Sequence, residues 1–225
     1  MSAINEKKVA ALEAVKYIKN GMTVGLGTGS TAFFMIEALG QMVEQGLEIK
    51  AVATSDETEK LAKKLGIEVI TLAEAKRLDL TIDGADEVDS NFQLIKGGGG
   101  ALLREKIVAH NSDFNIIIAD SSKQVSRLGQ FKLPIETIPF ATQLILKELK
   151  EMNLHPVQRM RGADDYKTDE NNDILDIDIW NTDIKLTDLE HQLKNIPGIV
   201  ETGLFLTSTD LVIIGKGEQA IVEKK

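Results

Sequence analysis

Apolar positions along the first half of the chain recur with two alternating periods. Ala11, Val15 and Ile18 share a helical face with Leu12 alongside; Asn5 stands where it can cap that helix and Gly21 where it can end it. The short apolar run 22–26 reads as a buried strand and leads through Gly27-Thr28-Gly29-Ser30-Thr31 into a helix carrying Ile36, Leu39 and Val43. A strand over 49–53, a polar helix over 56–65 and a strand over 67–71 follow. Further strands are predicted over 78–82 and 114–119, the second preceded by a helix over 101–110. Strands that alternate with helices in this way imply a parallel sheet with helices on both faces, so this part is α/β and Rossmann-like.

The rhythm changes after about residue 130. A strand is predicted over 134–140, a helix over 141–152 and a strand over 156–160, and then a polar, turn-like stretch over 162–173. An alternating strand over 174–180, a helix over 187–194 and a strand over 199–206 complete the order βαββαβ, which is that of a ferredoxin-like α+β domain. The run 211–214 is one more strand and is assigned back to the first domain. The expected division is therefore 1–130 plus 208–225 as the α/β catalytic domain, and 131–207 as the smaller domain, a lid wall or subunit contact. There is no internal repeat, low-complexity tract or long flexible linker.

Composition narrows the partners. The 225 residues carry 26 basic against 35 acidic side chains, a net charge of −9 that argues against nucleic acid or an anionic membrane surface. A small anionic substrate is unaffected by that balance, because a local site can be basic on an acidic protein. No apolar run approaches the ~20 residues of a transmembrane helix, and charges stand near the amino terminus where a secretory signal would carry an apolar block. With no cysteine there is no disulfide, thiolate metal site or thiol nucleophile. The expectation is a soluble, cytoplasmic globular protein.

In an open parallel sheet, ligands bind beyond the carboxyl ends of the strands, and four unusual segments fall there: 27–31, 54–58, 83–89 and 96–100. The first combines glycines, three hydroxyls (Thr28, Ser30, Thr31) and the start of a helix, whose free N–H groups and dipole suit a phosphate. Counted from Gly27 through Ala32 it also satisfies G-x-G-x-x-A, with Asp56 roughly where a dinucleotide ribose would want an acid, so a nicotinamide dinucleotide is a rival ligand. A capped glycine turn is the plainer reading. No Lys follows as in nucleotide-hydrolysing loops. In the second loop of interest Asp83 ends an apolar strand, with Asp86 and Asp89 at spacings of three; these carboxylates could accept protons, hold sugar hydroxyls or bind a cation. The alternating acids of a Ca²⁺ loop are missing, and His110, His155 and His191 lack metal-ligand spacing. The four glycines 97–100 are entropically costly, so they point to close approach of a ligand or another chain segment. They open a helix on which Leu103 and Ile107 share a face flanked by Leu102 and Val108. Glu105 lies within two turns of that opening and could point to the strand ends, although a lone Glu in an Arg-Glu-Lys cluster is more often solvated. Lys96 and Lys123 could add positive charge.

Taken together, GLGTGSTA (25–32), TSDET (54–58), DGADEVD (83–89), KGGGGALLREK (96–106), LPIETIPFA (133–141), ILDIDI (174–179) and NIPGIVETGLF (195–205) closely resemble the A type of ribose-5-phosphate isomerase, over nearly the whole chain. The family's two-domain fold agrees with the element order. The one departure noted is Glu170-Asn171-Asn172 where the family often has Asn-Gly, in a turn expected to lie away from the four segments. The resemblance implies interconversion of D-ribose 5-phosphate and D-ribulose 5-phosphate in the pentose phosphate pathway, without metal or organic cofactor, by a homodimer or homotetramer. It implies that Glu105 is the base that moves a proton between C1 and C2 through an enediolate, assisted by Asp83, Asp86 and Lys96, which line the sugar. It further implies substrate contacts from Thr28, Gly29, Ser30, Thr31, Gly84, Ala85, Gly97, Gly98 and Gly99, and phosphate contacts from Lys123 and Lys7. Two other readings stay open on the loops alone: a nicotinamide-dependent dehydrogenase, and a non-catalytic sugar-phosphate sensor. A sensor would be expected to add a basic DNA-binding segment, which this acidic chain lacks.

Overall fold

The strand Asn115–Asp120 is buried at every position, which is why it reads as a continuous apolar run rather than an alternating one. It lies inside a six-stranded sheet with the order Gln219–Lys224, Leu211–Lys216, Asn115–Asp120, Leu80–Gly84, Thr23–Leu26, Lys50–Ala53 in the computed structural model, which describes residues 2–225. All neighbours are parallel except the edge strand Gln219–Lys224, which returns antiparallel from Leu211–Lys216. Ile116 and Ile118 face one core with Ala10, Ala14, Met35 and Leu39 of the first two helices; Ile117 and Ala119 face another with Leu94, Phe205 and Val212. Part of that second face is covered by a three-stranded sheet (Leu204–Phe205, Leu94–Ile95, Glu87–Val88) and not by a helix.

The second half forms an antiparallel sheet of four strands, in the order Ile199–Thr202, Leu133–Thr137, Asp173–Ile177, Val157–Gln158. Helices Thr142–Glu151 and Leu186–Lys194 bury Ile145, Leu149, Leu189 and Leu193 against it, in the expected βαββαβ order. Leu211–Lys216 rejoins the six-stranded sheet as anticipated.

Several local expectations are corrected. Asn5 is not a cap: it lies within the helix Ala3–Ala14 and its side chain donates to the carbonyl of Gly217 at 3.1 Å. The strand expected over 67–71 is reduced to a bridge between Ala51 and Val69, because Thr71 instead starts a one-turn helix through a capping box with Glu74. The strand over 156–160 shortens to Val157–Gln158, and Met160–Arg161 forms a hairpin with Asp164–Asp165. The strand over 199–206 divides at Gly203, whose N–H donates to Pro134 O while its carbonyl accepts from Lys96 N–H, so its two halves serve different sheets. The edge strand Gln219–Lys224 was not anticipated; its buried and exposed positions do not alternate cleanly. Among the described residues no helix is long and apolar enough to cross a membrane.

Candidate active site

The strand order reverses between Thr23–Leu26 and Leu80–Gly84: from the first of these the chain runs outward to Lys50–Ala53 on one side and then to Leu80–Gly84 on the other. Loops leaving the carboxyl ends at such a point diverge and open a crevice. Thr28 to Thr31 form one wall and Gly84 to Asp86 the other, with Lys96, Gly97, Gly99 and Glu105 closing the inner end and Lys7 and Lys123 the outer. All the residues expected to form a site line this cleft except Asp83, which is buried beneath it, and Gly98, which lies at its edge with its N–H on Asp86 Oδ2 at 2.7 Å.

At the inner end Lys96 Nζ lies 3.1 Å from Asp83 Oδ2 and 3.2 Å from Glu105 Oε1, and it donates to the Gly84 carbonyl at 2.5 Å. Asp83 Oδ1 accepts from the N–H groups of Thr28 at 3.1 Å and Gly84 at 2.7 Å. Gly27 is obligatory here, since a Cβ at that position would fall 2.0 Å from Asp83 Oδ1. Glu105 sits in the first turn of Leu102–His110 and is buried on one face with Leu102 and Val108. That differs from the predicted Leu103–Ile107 face: Ile107 is exposed, and Arg104 turns outward to Asp56, Asp169 and Glu170. Glu105 Oε2 is buried and has no hydrogen-bond partner.

Two carboxylates and one ammonium share this dry volume, and their ionisation follows from that. Burial pushes the Glu105 carboxyl up to about 8, repulsion from Asp83 adds to the rise, and Lys96 opposes it. Burial likewise raises Asp83, against the pull of Lys96. For Lys96 burial disfavours the charge, but Asp83 and Glu105 outweigh it and hold the ammonium protonated.

The outer end is wetter. The helix Ser30–Glu44 starts at Gly29 with no side chain capping its free N–H groups, so they remain available to an anion. Lys7 Nζ donates to Ser30 Oγ at 2.9 Å and lies 3.9 Å from Asp120 Oδ2. Lys123 ends the short turn Ser121–Lys123 that follows Asn115–Asp120.

Other residues support the cleft beyond those expected to touch a ligand. Glu6 accepts from Ser121 N–H and Oγ and from Gly217 N–H, which tie the Lys123 turn to the helix of Lys7; the Ser121 hydroxyl and then the two N–H groups hold its carboxyl down to about 2. Thr54, Ser55 and Thr58 engage the Thr28 hydroxyl at 2.7, 2.8 and 3.2 Å, so Thr28 offers the cleft less donor capacity than its sequence position implied. Asp56, the acid that a dinucleotide ribose would need, is paired with Arg104 Nη1 at 2.7 Å. The turn at 169–172 is not remote: Glu170 pairs with Arg104 Nε at 2.5 Å and Asp169 accepts from Asp56 N–H at 2.9 Å.

Residues 50–219 match the family model described as ribose 5-phosphate isomerase A (phosphoriboisomerase A). A ribose-5-phosphate isomerase A of Ruegeria sp. (strain TM1040) is 51% identical, with 97% of this chain and 86% of that one covered. One from Bacillus mycoides is 50% identical over 94% and 96% of the two chains. Among solved structures, a D-ribose-5-phosphate isomerase in complex with phospho-erythronic acid superposes with a TM-score of 0.95 at 38% identity, both chains covered in full. Ribose 5-phosphate isomerase A of Methanocaldococcus jannaschii gives 0.93 at 39%, again over the whole of both.

Proposed function

Because the chain belongs to the ribose 5-phosphate isomerase A family and is an enzyme of that kind, we propose that it interconverts D-ribose 5-phosphate and D-ribulose 5-phosphate through an enediolate, with Glu105 as the base. In this reading the Glu105 carboxylate removes the C2 proton of the open-chain aldose and electrons move onto O1; O1 then takes up the hydroxyl proton that O2 gives up, and the same carboxyl returns its proton to C1 as O2 becomes the ketone. The transfer is internally balanced and asks for one group that is both base and acid. A carboxyl lifted to about 8 by burial populates both forms near neutral pH. Lys96 stabilises the charge that develops on O1 and O2, and it does so more in the transition state than in the substrate. Asp83 holds Lys96, and Asp86 assists ring opening. The phosphate docks on the helix start at Gly29 to Thr31 and on Lys7 and Lys123, and thereby positions C1 and C2.

The observation that carries this reading is the Asp83–Lys96–Glu105 contact, with a free Glu105 oxygen at the closed end of a cleft whose other end suits an anion. We assign the chemistry to the unit 1–130 plus 208–225, and to 131–207 a supporting wall. The test is to mix purified protein with D-ribose 5-phosphate in excess EDTA and follow ribulose 5-phosphate. Approach to equilibrium is expected. Absence of turnover, with or without Mg²⁺, overturns the assignment; turnover only with added metal keeps the reaction but overturns the roles given to Lys96 and the acids.

A further inference from the structure

The outer side of the glycine run is gripped by a hairpin from the small unit. Arg159 Nη1 donates to the carbonyl oxygens of Gly97 at 2.8 Å and Gly98 at 3.2 Å, and Tyr166 Oη donates to that of Gly99 at 2.9 Å. Arg159 is itself fixed by a two-point pair with Asp176, Nε to Oδ2 at 2.9 Å and Nη2 to Oδ1 at 2.5 Å. The guanidinium carbons of Arg159 and Arg161 lie over the Tyr166 ring, 5.7 and 5.0 Å from its centroid. A Cβ at Gly100 would fall 2.1 Å from Tyr166 Oη, so this seat exists only because Gly100 has no side chain.

The consequence follows from peptide geometry. In a trans peptide the C=O and the next N–H point in opposite directions, and the chain has no cis peptide among the described residues. Holding the Gly97 carbonyl outward sends the Gly98 N–H to the opposite side, where it meets Asp86. Holding the Gly98 carbonyl outward sends the Gly99 N–H away from Arg159; it has no acceptor among the described residues, and Gly99 lines the cleft. The next plane is held as well, by Tyr166 on the Gly99 carbonyl and by the Gly100 N–H, which donates to the Gly97 carbonyl at 2.9 Å. The plane that carries the Gly99 N–H is thus flanked by a fixed plane on each side, where free glycines would sample both signs of φ.

We propose that Arg159 and Tyr166 are positioning residues that lock the peptide planes of the glycine run, so that the Gly99 N–H stands ready as a donor to the oxyanion that develops on the sugar. This rests on the isomerase reading and gives the small unit a part in the chemistry. Both side chains act through the glycines and touch no substrate.

A preorganised donor is felt in kcat, whereas a mere strap is felt in stability. Tyr166→Phe keeps the ring and loses only the hydroxyl; Arg159→Lys keeps the charge and loses the fork. We expect kcat to fall about 10-fold in the first and roughly 10- to 100-fold in the second, the scale of a misoriented group, with KM within about twofold. Inhibition by phospho-erythronic acid, whose carboxylate presents anionic oxygens at the reacting end, should weaken by a similar factor, while the thermal midpoint of Tyr166→Phe stays unchanged. If kcat of both variants stays within about twofold of the parent, the proposal is wrong. It is equally wrong if the loss of kcat tracks a loss of thermal midpoint and leaves inhibition by phospho-erythronic acid untouched. Should Arg159→Lys fail to fold, Tyr166→Phe decides alone. A parent chain that does not interconvert the two sugars removes the isomerase reading and this one with it; an active parent with indifferent variants removes only this one.

Discussion

At one end of the cleft three charged side chains are nearly cut off from water, Asp83 and Lys96 at 3% exposure and Glu105 at 5%, whereas at the other end Ser30 is exposed and Lys7 keeps 21% of its side chain in solvent. The same residue types therefore do different work. In water a carboxylate is a weak base with an ordinary pKa, and an ammonium is a mobile handle for an anion. In the dry end each charge survives only because an opposite one touches it, and the mismatch of two acids to one Lys leaves Glu105 ready to take up a proton. Chemistry needs that shift; phosphate binding needs reach and several donors.

The two ends of the cleft differ most at Glu105. On the proposed reading Glu105→Gln lowers kcat by roughly 10²- to 10⁴-fold or more with KM little changed, because the amide keeps the shape and loses the base. Retained kcat would remove Glu105 from the mechanism. The same variant should be more stable than the parent in alkali. A carboxyl raised to about 8 binds its proton more tightly in the folded than in the unfolded chain, so between its ordinary value and 8 it draws stability down as pH rises. Glutamine has no such slope. The difference in thermal midpoint, variant minus parent, is expected to widen from pH 5 to pH 8; a constant difference would mean that Glu105 ionises normally.

Lys96→Met ranks next. It leaves Asp83 buried without a counter-charge beside a Glu105 that is already largely protonated near neutral pH, so it should cost about 3–5 kcal/mol of unfolding free energy there, the scale seen when one partner of a buried pair is removed. Denaturant unfolding at pH 7 checks this. Protonation of Asp83 should return part of the loss at low pH, and a variant as stable as the parent at pH 7 would show that the ammonium is not what holds the site together.

How far the chain announces these two ends follows from what each is made of. The wet end is written locally: Gly27-Thr28-Gly29-Ser30-Thr31 has the composition proposed here to take an anion, and its placement needs only the strand before it and the helix after. The dry end was legible in its residue types but not in its burial. The helix Leu102–His110 has apolar residues on nearly every side, so the face that turns inward is chosen by the sheet it meets, and it takes Glu105 along with Leu102 and Val108. The contacts from the second half were not legible. Arg159, Tyr166 and Glu170 sit in or beside a polar stretch that reads as turns, and nothing in its pattern says that it folds onto a glycine run some sixty residues earlier. Sheet order was inferable in class, while the short strands at 87–88 and 94–95 were not, because two-residue strands carry no period.

The smallest expected effects belong to the wet end, and they should appear in KM alone. On the proposed reading Lys123→Ala removes one cation from the phosphate end and should raise KM about tenfold, the worth of one charge-assisted contact, with kcat nearly unchanged. Raising ionic strength should mimic a fraction of that loss, since exposed charges are screened within about 10 Å at 0.1 M salt while the buried trio is not. The two perturbations also overlap: with Lys123 gone less attraction is left to screen, so the salt dependence of KM in Lys123→Ala should be shallower than in the parent. Steady-state kinetics across a salt series in both proteins measures this directly. If kcat of the parent fell with salt as steeply as KM rose, screening would be reaching the Asp83–Lys96–Glu105 contact, and the separation of the cleft into a wet binding end and a dry reacting end would not hold.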